Sequence, residues 1–369
     1  MSSAEPAADP KRERLFRWLL IGLIALVPLV YVPRVLFGPR ADAPTLRTPQ
    51  WVHTLIVTAA RVAPGTFEKP GPELAALIRR GSLTSSLWAP SRDTRAAAAS
   101  LWCGRWPRQL GVLEPEARVA DGTWTLATAA SAAGTATLSI GAPLALPGFA
   151  ERIDARDPAV AGAEAAAFVE RSTGKRLLVW VHLEWADAAA LEAVLEPLQR
   201  ALERTDRRFD ALTMVSAFAQ GPRDGEAVSL ACPLATALPA ALFSGRRADA
   251  LISHVDIAGL LAGMLQLQPP VAQRGQPQLA SRAQPLWGAI RGSRTDLPVL
   301  IQDRDGEDLL ISIPGQPLNK LARVRATLPL AGQDSIETWL PGPDGPVRAE
   351  GEARAALAKQ YLQMAASAR

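Results

Sequence analysis

Short apolar runs alternate with helical patterns along most of the chain beyond residue 50. Trp51–Thr58 and Arg176–Leu183 are nearly continuous hydrophobic runs, which is the pattern of strands buried on both faces of a parallel sheet. The other predicted elements are, in chain order, helix Pro72–Arg80, helix Ala96–Cys103, helix Trp124–Ala133, strand Thr135–Ile140, helix Ala186–Arg204, strand Ala211–Ser216, one or two strands in Val228–Leu238, and helix Val255–Leu267. This alternation predicts an α/β domain whose mainly parallel sheet is sandwiched by helices.

The pattern changes beyond residue 290. Val299–Gln302 and Leu309–Ile313 form a predicted hairpin, and Gly351–Ala365 a final helix. Asp303–Asp308 is similar to the start of a calcium loop, but the mid-loop glycine and closing glutamate are missing. We therefore interpret it as a turn at Asp305-Gly306, within a small C-terminal antiparallel sheet plus helix.

The amino terminus has the pattern of a membrane anchor. Residues 15–37 are close to the roughly 20 apolar residues that span a bilayer. Basic residues precede this run at Lys11, Arg12, Arg14 and Arg17, which places the amino terminus in the cytoplasm. We expect a single-pass protein of the inner (plasma) membrane with a periplasmic, extracytoplasmic C-terminal domain. The alternative is a signal peptide cleaved at Ala41-Asp42-Ala43.

The predicted organisation has five parts. They are a cytoplasmic basic tail (1–14), a transmembrane helix (15–37), a linker (38–50), an α/β domain (51–290) and a C-terminal α+β subdomain (291–369).

Composition excludes some functions and leaves others open. The formal net charge is +4, and residues 1–40 hold six basic residues against three acidic ones, so the remainder is nearly neutral. Nothing in it indicates a nucleic-acid partner. Cys103 and Cys232 allow at most one disulfide; each is interpreted as a small buried residue, and their pairing stays open.

Two segments carry a resemblance to a known family. Gly71–Gly81 (GPELAALIRRG) and Ser100–Pro107 (SLWCGRWP) are similar to the helices that flank the nucleophile in sulfatases of the alkaline-phosphatase-like superfamily. Four further segments also resemble the family, and all of them lie along the chain in the family's order: His53–Ala60, Asp121–Gly134, Val179–Leu183 and Arg247–Ala258. The resemblance implies an alkaline-phosphatase/sulfatase-like fold, whereas function depends on the site.

The resemblance also implies where a metal would be held. In this family, carboxylates at the end of the first strand and an Asp-His pair after a later strand hold a divalent cation. Here Ala59 and Pro64 stand near the expected carboxylates, and Phe218, Ala219 and Gln220 near the Asp-His pair. We therefore expect no metal and no cofactor; the alternative is one divalent cation such as Ca²⁺ or Mg²⁺.

Thr94 stands at the position of the family's nucleophile. Thr94–Ala98 (TRAAA) lacks the proline and arginine of the Cys/Ser-x-Pro-x-Arg motif, so conversion to formylglycine is not expected. A threonine nucleophile would need a metal or a base to activate it. The other interpretation is that Thr94, after Asp93, caps the helix that begins near Arg95.

Two further residue types could carry chemistry. His53, His182 and His254 lack close ligand spacing and are interpreted as structural. Several tryptophans could line a carbohydrate-binding cleft, or else pack in the core: Trp88, Trp102, Trp106, Trp180 and Trp185.

The sequence thus predicts a degenerate, membrane-anchored sulfatase-like protein. We expect it to be a pseudoenzyme that acts as a binding or assembly module in the cell envelope, with the membrane and an active sulfatase relative or an envelope glycan as partners. The alternative is an extracytoplasmic sulfuric-ester or phosphoric-ester hydrolase or transferase with Thr94 as nucleophile.

Overall fold

The computed structural model covers the α/β region of the chain most fully. It describes residues 53–224, 229–237, 246–248, 250–267, 295–296, 298–313, 320–328, 335–342 and 346–367. The predicted tail, transmembrane helix and linker lie outside these residues. Within the described ranges, no helix combines the length and the hydrophobicity that a membrane crossing needs.

A large sheet forms the centre of the protein. Its strands are β1 His53–Val62, β2 Ser82–Trp88, β3 Ala136–Ile140, β4 Glu151–Ile153, β5 Leu177–Ala186, β6 Ala211–Gln220, β7 Ala231–Ala237, β8 Arg246–Ala248, β9 Ala250–Ser253 and β10 Thr295–Asp296. They lie in the order β10-β9-β2-β7-β6-β1-β5-β3-β4, with β8 also paired to β2. Strand β1 is parallel to both its neighbours, β5 and β6, so these three strands end at the same edge. Strand β7 is antiparallel to β2 and β6, so the sheet is mixed but mainly parallel.

Helices cover both faces of this sheet. They are α1 Pro72–Arg80, α2 Thr94–Cys103, α3 Pro107–Leu110, α4 Leu126–Ala132, α5 Pro158–Arg171, α6 Ala188–Arg204 and α7 Val255–Met264, whereas a later helix, α8 Gly351–Ser367, packs elsewhere. Neighbouring residues of β1 point to opposite faces: Ile56 packs with α2, α4 and α7, whereas Leu55 and Val57 pack with α1, α5 and α6. The predicted sandwich of helices around a sheet is therefore confirmed.

A smaller antiparallel sheet follows. Its strands are β11 Val299–Gln302, β12 Gly306–Ser312, β13 Leu321–Thr327, β14 Ile336–Pro341 and β15 Pro346–Arg348. Helix α8 packs on this sheet through the fully buried Tyr361, whose hydroxyl donates to Glu307 Oε2 at 2.7 Å. The hairpin predicted at Asp305-Gly306 is confirmed: Gln302 pairs with Glu307, and Asp303 N donates to Gly306 O at 2.9 Å.

Local signals explain which elements were predicted well. Helix α1 has the predicted bounds because Pro72 occupies its first turn and Gly81 follows its last residue. A side chain of α6 accepts from the backbone N–H groups at the start of α1, since the Glu192 carboxylate accepts from Glu73 N at 2.6 Å. Strand β2 and helix α5 were not predicted, and neither were the short strands β4, β8, β9 and β10.

The two cysteines are buried and unpaired. Burial raises the pKa of each thiol to about 12, so both are inert thiols at neutral pH, as the sequence analysis expected.

Candidate functional site

A cleft of about 1580 Å³ opens at the carboxyl ends of the central strands. Ala60 and Arg61 line it at the end of β1, Glu184 and Trp185 at the end of β5, and Ala219 at the end of β6. Its lining also includes Trp88, Arg92, Thr94, Arg156, Asp157, Asp187, Arg223, Asp224, Ile301, Asp308, Leu310 and Arg323. Ligands of open α/β sheets bind outside the carboxyl ends of the strands, so this cleft is the candidate site.

Thr94 lies in this cleft as the first residue of α2. The helix cap is Asp93, whose Oδ1 accepts from Arg95 N at 2.7 Å and from Ala96 N at 3.2 Å. The interpretation of Thr94 as the cap is therefore wrong, because Asp93 already satisfies the first free N–H groups. The half-buried Thr94 hydroxyl makes no hydrogen bond within the described part of the chain.

Four of the five positions at which the resemblance implied metal ligands lie near the ends of the adjacent strands β1 and β6, where Ala59 pairs with Ala217. Ala59 and Phe218 are buried in the core, at 1% and 2% exposure. Pro64 is exposed and lies outside the cleft lining, whereas Ala219 lines the cleft. The Gln220 backbone pairs with Ser229. Ala59 and Phe218 pack on opposite faces of the sheet, so their side chains point away from each other.

The side chains around the cleft do not fit a divalent cation. Among the described residues, no group of three or more His, Cys, Asp or Glu side chains is close enough to hold a metal ion. Asp157 and Asp187 each accept backbone N–H groups at the start of a helix. Asp308 is engaged by arginines. A hard cation needs several converging oxygen ligands, which these carboxylates do not supply.

Phe218 lies between two buried histidines. Its ring centroid is 5.9 Å from that of His182 and 4.8 Å from that of His254. His182 Nδ1 is 2.9 Å from Thr58 Oγ1, which accepts from Trp180 Nε1 at 2.8 Å. Aromatic side chains thus fill the space beneath the cleft.

Burial keeps the histidines neutral. It lowers the pKa of His182 to about 3. It also lowers the pKa of His254 to about 4, against a smaller raising effect of the hydrogen bond between Nδ1 and Trp88 O. The pKa of His53, at the opposite end of β1, falls to about 4 because of burial and the nearby Arg207 and Arg176. The histidines are thus buried apart from any metal-ligating group within the described residues.

Arginines gather where the small sheet meets the cleft. The Asp308 carboxylate, 4% exposed, binds three of them: Arg92, Arg323 and Arg325. Burial alone would raise the Asp308 pKa, but hydrogen bonds from Arg323 and Arg325 and their charges outweigh it, so this pKa lies below its usual value. Asp303 Oδ1 accepts from the backbone N–H of Arg92 at 2.9 Å, and the Asp303 carboxylate also forms an ion pair with the Arg92 guanidinium.

This arginine cluster was not predicted from the sequence. Its local signal is Arg323-Val-Arg325, because alternate residues of a strand lie on one face. The tryptophans divide between the two interpretations: Trp88 and Trp185 line the cleft, whereas Trp102, Trp106 and Trp180 are buried in the core. The Arg223 guanidinium lies 5.5 Å from the Trp185 ring centroid.

Comparisons identify the fold. No protein-family model matches the chain, and no curated protein is detectably similar in sequence. Solved structures of sulfatases and of other alkaline-phosphatase superfamily proteins, however, share its fold.

Three of these structures illustrate the likeness. The phosphonate monoester hydrolase of Agrobacterium radiobacter is 12% identical with a TM-score of 0.59, over 86% of this chain and 96% of that one. A protein in the alkaline phosphatase superfamily from Vibrio parahaemolyticus is 12% identical with a TM-score of 0.57, over 84% and 85%. A 2-O GAG sulfatase is 11% identical with a TM-score of 0.56, over 79% and 85%. The chain therefore has a sulfatase-like fold, as the sequence resemblance implied.

Proposed function

We propose that this protein is a membrane-anchored, sulfatase-like binding module of the cell envelope that does not catalyse ester hydrolysis. The observation that carries the proposal is the chemistry of the cleft. Glu184 is the one carboxylate among the side chains that line the cleft from the ends of β1, β5 and β6, and the described residues offer no group of three or more ligands for a divalent cation. Fold alone gives no activity, so the side chains of the site decide.

Two further observations support a binding role. Phe218 fills the space between His182 and His254, so these imidazoles have no open route to a ligand in the cleft. Trp88 and Trp185 present aromatic surface in a cleft that also has charged side chains, a combination that suits a sugar ring. An envelope glycan is therefore our proposed ligand, and an active sulfatase relative is our proposed protein partner.

The second candidate function is an extracytoplasmic ester hydrolase or transferase that uses Thr94. It is favoured by one observation: Thr94 lines the cleft and is not used as a helix cap. An unassisted hydroxyl is a weak nucleophile, and no base is hydrogen-bonded to it within the described residues.

Turnover assays on the full-length protein in detergent separate the two candidates. The substrates are chromogenic sulfate and phosphate esters, each with EDTA or with added Ca²⁺, Mg²⁺, Mn²⁺ or Zn²⁺. We expect no turnover above background and no stoichiometric metal. Activity that is lost in Thr94→Ala but kept in Thr123→Ala, a half-buried threonine outside the cleft lining, would reject the non-catalytic proposal.

The membrane anchor is tested separately. We expect the full chain to partition with inner membranes after carbonate washing, and its C-terminal region to be cleaved by protease added to spheroplasts. Release of a shorter soluble form, cut near residue 43, would support the signal-peptide alternative.

A further inference from the structure

The Asp308 carboxylate has more cationic partners than it can neutralise. Its Oδ1 accepts from Arg323 Nε at 3.2 Å and from Arg325 Nε at 3.0 Å. Its Oδ2 accepts from Arg323 Nη2 at 2.7 Å, from Arg92 Nη2 at 3.2 Å and from Arg325 Nη2 at 3.4 Å. A carboxylate has about four lone-pair positions, whereas three guanidinium groups carry about fifteen N–H donors. Asp303 also forms an ion pair with Arg92, so two carboxylates face three guanidinium groups. Most of the N–H donors of the cluster still remain for another acceptor.

Two of the three arginines face the cleft. Arg92 and Arg323 line it together with Thr94, whereas Arg325 lines a separate pocket of about 640 Å³. The side chains of Arg92 and Arg323 are 54% and 39% exposed, so both can contact a solute. Asp308 fixes the guanidinium of Arg323 by two hydrogen bonds, which reduces the entropy that ligand binding would cost.

Two acidic residues of the cleft lie far from the arginine cluster along the sheet. Trp88, at the end of β2, packs against Ile301 and Leu310 of the small sheet, and Leu310 lies on the same strand as Asp308. Glu184 and Asp187 follow β5, which is four strand positions from β2 in the sheet. Adjacent strands lie about 4.8 Å apart, so these acidic groups are roughly 19 Å from the end of β2. An anion near Arg92 and Arg323 would thus be well separated from Glu184 and Asp187. The carboxylates next to it would be Asp303 and Asp308, which already pair with these arginines.

We infer that the cleft binds the oxyanion group of an anionic ligand through Arg92 and Arg323 without a metal ion. The guanidinium groups would supply the positive charge that a cation supplies in metal-dependent sites. A tetrahedral or planar oxyanion matches the paired N–H groups of arginine. Sulfate, phosphate and carboxylate groups share this chemistry. The inference rests on the proposed function, because it concerns the ligand of the same non-catalytic cleft.

The test is calorimetric titration of the full-length protein in EDTA with four sugars: glucose 6-sulfate, glucose 6-phosphate, glucuronate and glucose. We expect at least one anionic sugar to bind, glucose not to bind, and binding to weaken as salt is raised. The ranking of the three anions identifies the source of the oxyanion.

A matched pair of variants makes the test specific. Arg323→Gln and Arg325→Gln each remove two hydrogen bonds to Asp308 from the same strand, but only Arg323 lines the cleft. We expect about tenfold or greater weakening for Arg323→Gln, as for loss of a charge-assisted hydrogen bond, and less than about twofold for Arg325→Gln. Arg92→Gln provides a second cleft variant if Arg323→Gln does not fold.

Several results would overturn the inference. They are an absence of binding by all three anions, binding that requires added Ca²⁺ or Mg²⁺, and equal weakening by Arg323→Gln and Arg325→Gln. Hydrolysis of a sugar ester that depends on Thr94 would instead reject the proposed function while metal-free binding could still be measured. The two failures are therefore distinguishable.

Discussion

Truncation of Phe218 to alanine tests whether the space beneath the cleft is filled core. The side chain is 2% exposed and packs between two imidazole rings. Replacing a buried phenylalanine by alanine costs about 3–5 kcal/mol, from lost burial and from the cavity left behind. In a domain of this size that loss lowers the Tm by about 10 °C.

Urea unfolding followed by tryptophan fluorescence measures this loss. The control is Phe209→Ala, the same truncation at a side chain that is 67% exposed, for which we expect a change within about 0.5 kcal/mol. Equal losses in the two variants would refute the reasoning. They would mean that position 218 is not packed core, which would leave room beneath the cleft and weaken the case against a metal.

Three further predictions follow from burial and charge. The pKa of folded His182 is about 3 and that of folded His254 about 4, whereas unfolded histidine has a pKa near 6.5. The free energy of unfolding should therefore fall as pH drops from about 6.5 to 4, by up to about 1.4 kcal/mol per pH unit for each histidine. A stability that does not depend on pH in this range would contradict the prediction. The pKa of Asp308 is lowered, so the stabilisation by its carboxylate is present above about pH 4 and is lost as pH falls further. Asp308→Asn should cost about 2 kcal/mol of unfolding free energy at pH 7 and make that free energy depend less on pH in acid. An unchanged acid unfolding transition in this variant would count against the prediction. Gly162→Ala should destabilise the protein because the new Cβ would lie 2.4 Å from a backbone oxygen of α6. At Gly263 a new Cβ would have no atom within 4 Å, so Gly263→Ala should stabilise the protein by about 0.5–1 kcal/mol. A shift of Tm in the same direction for both variants would be inconsistent with the packing.

The sequence was sufficient for elements with strong local signals. The apolar run of β5 and the Pro72 and Gly81 boundaries of α1 are encoded by nearby residues. Strand β2 (SLTSSLW) was missed because polar residues such as Ser82 and Thr84 are buried there by tertiary contacts, against their usual preference. Helix α5 was missed because its alanine-rich sequence shows little periodicity.

The candidate site was only partly predictable. Thr94 was located from the resemblance, and it does line the cleft. The arginine cluster was not found, because Asp308 is 216 residues from Arg92 and pairs with Arg325 only through the register of the adjacent strands β12 and β13. The spacing of Arg323 and Arg325 is local, but their acidic partner is set by tertiary structure.

The buried Phe218 constrains how this protein could change in evolution. A single substitution to aspartate there would place a carboxylate in the core, where desolvation favours the neutral acid. The substitution would therefore cause a large loss of stability, and it would not create a metal site unless neighbouring positions had already changed. A metal-binding carboxylate at this position would thus need coordinated substitutions at the neighbouring positions.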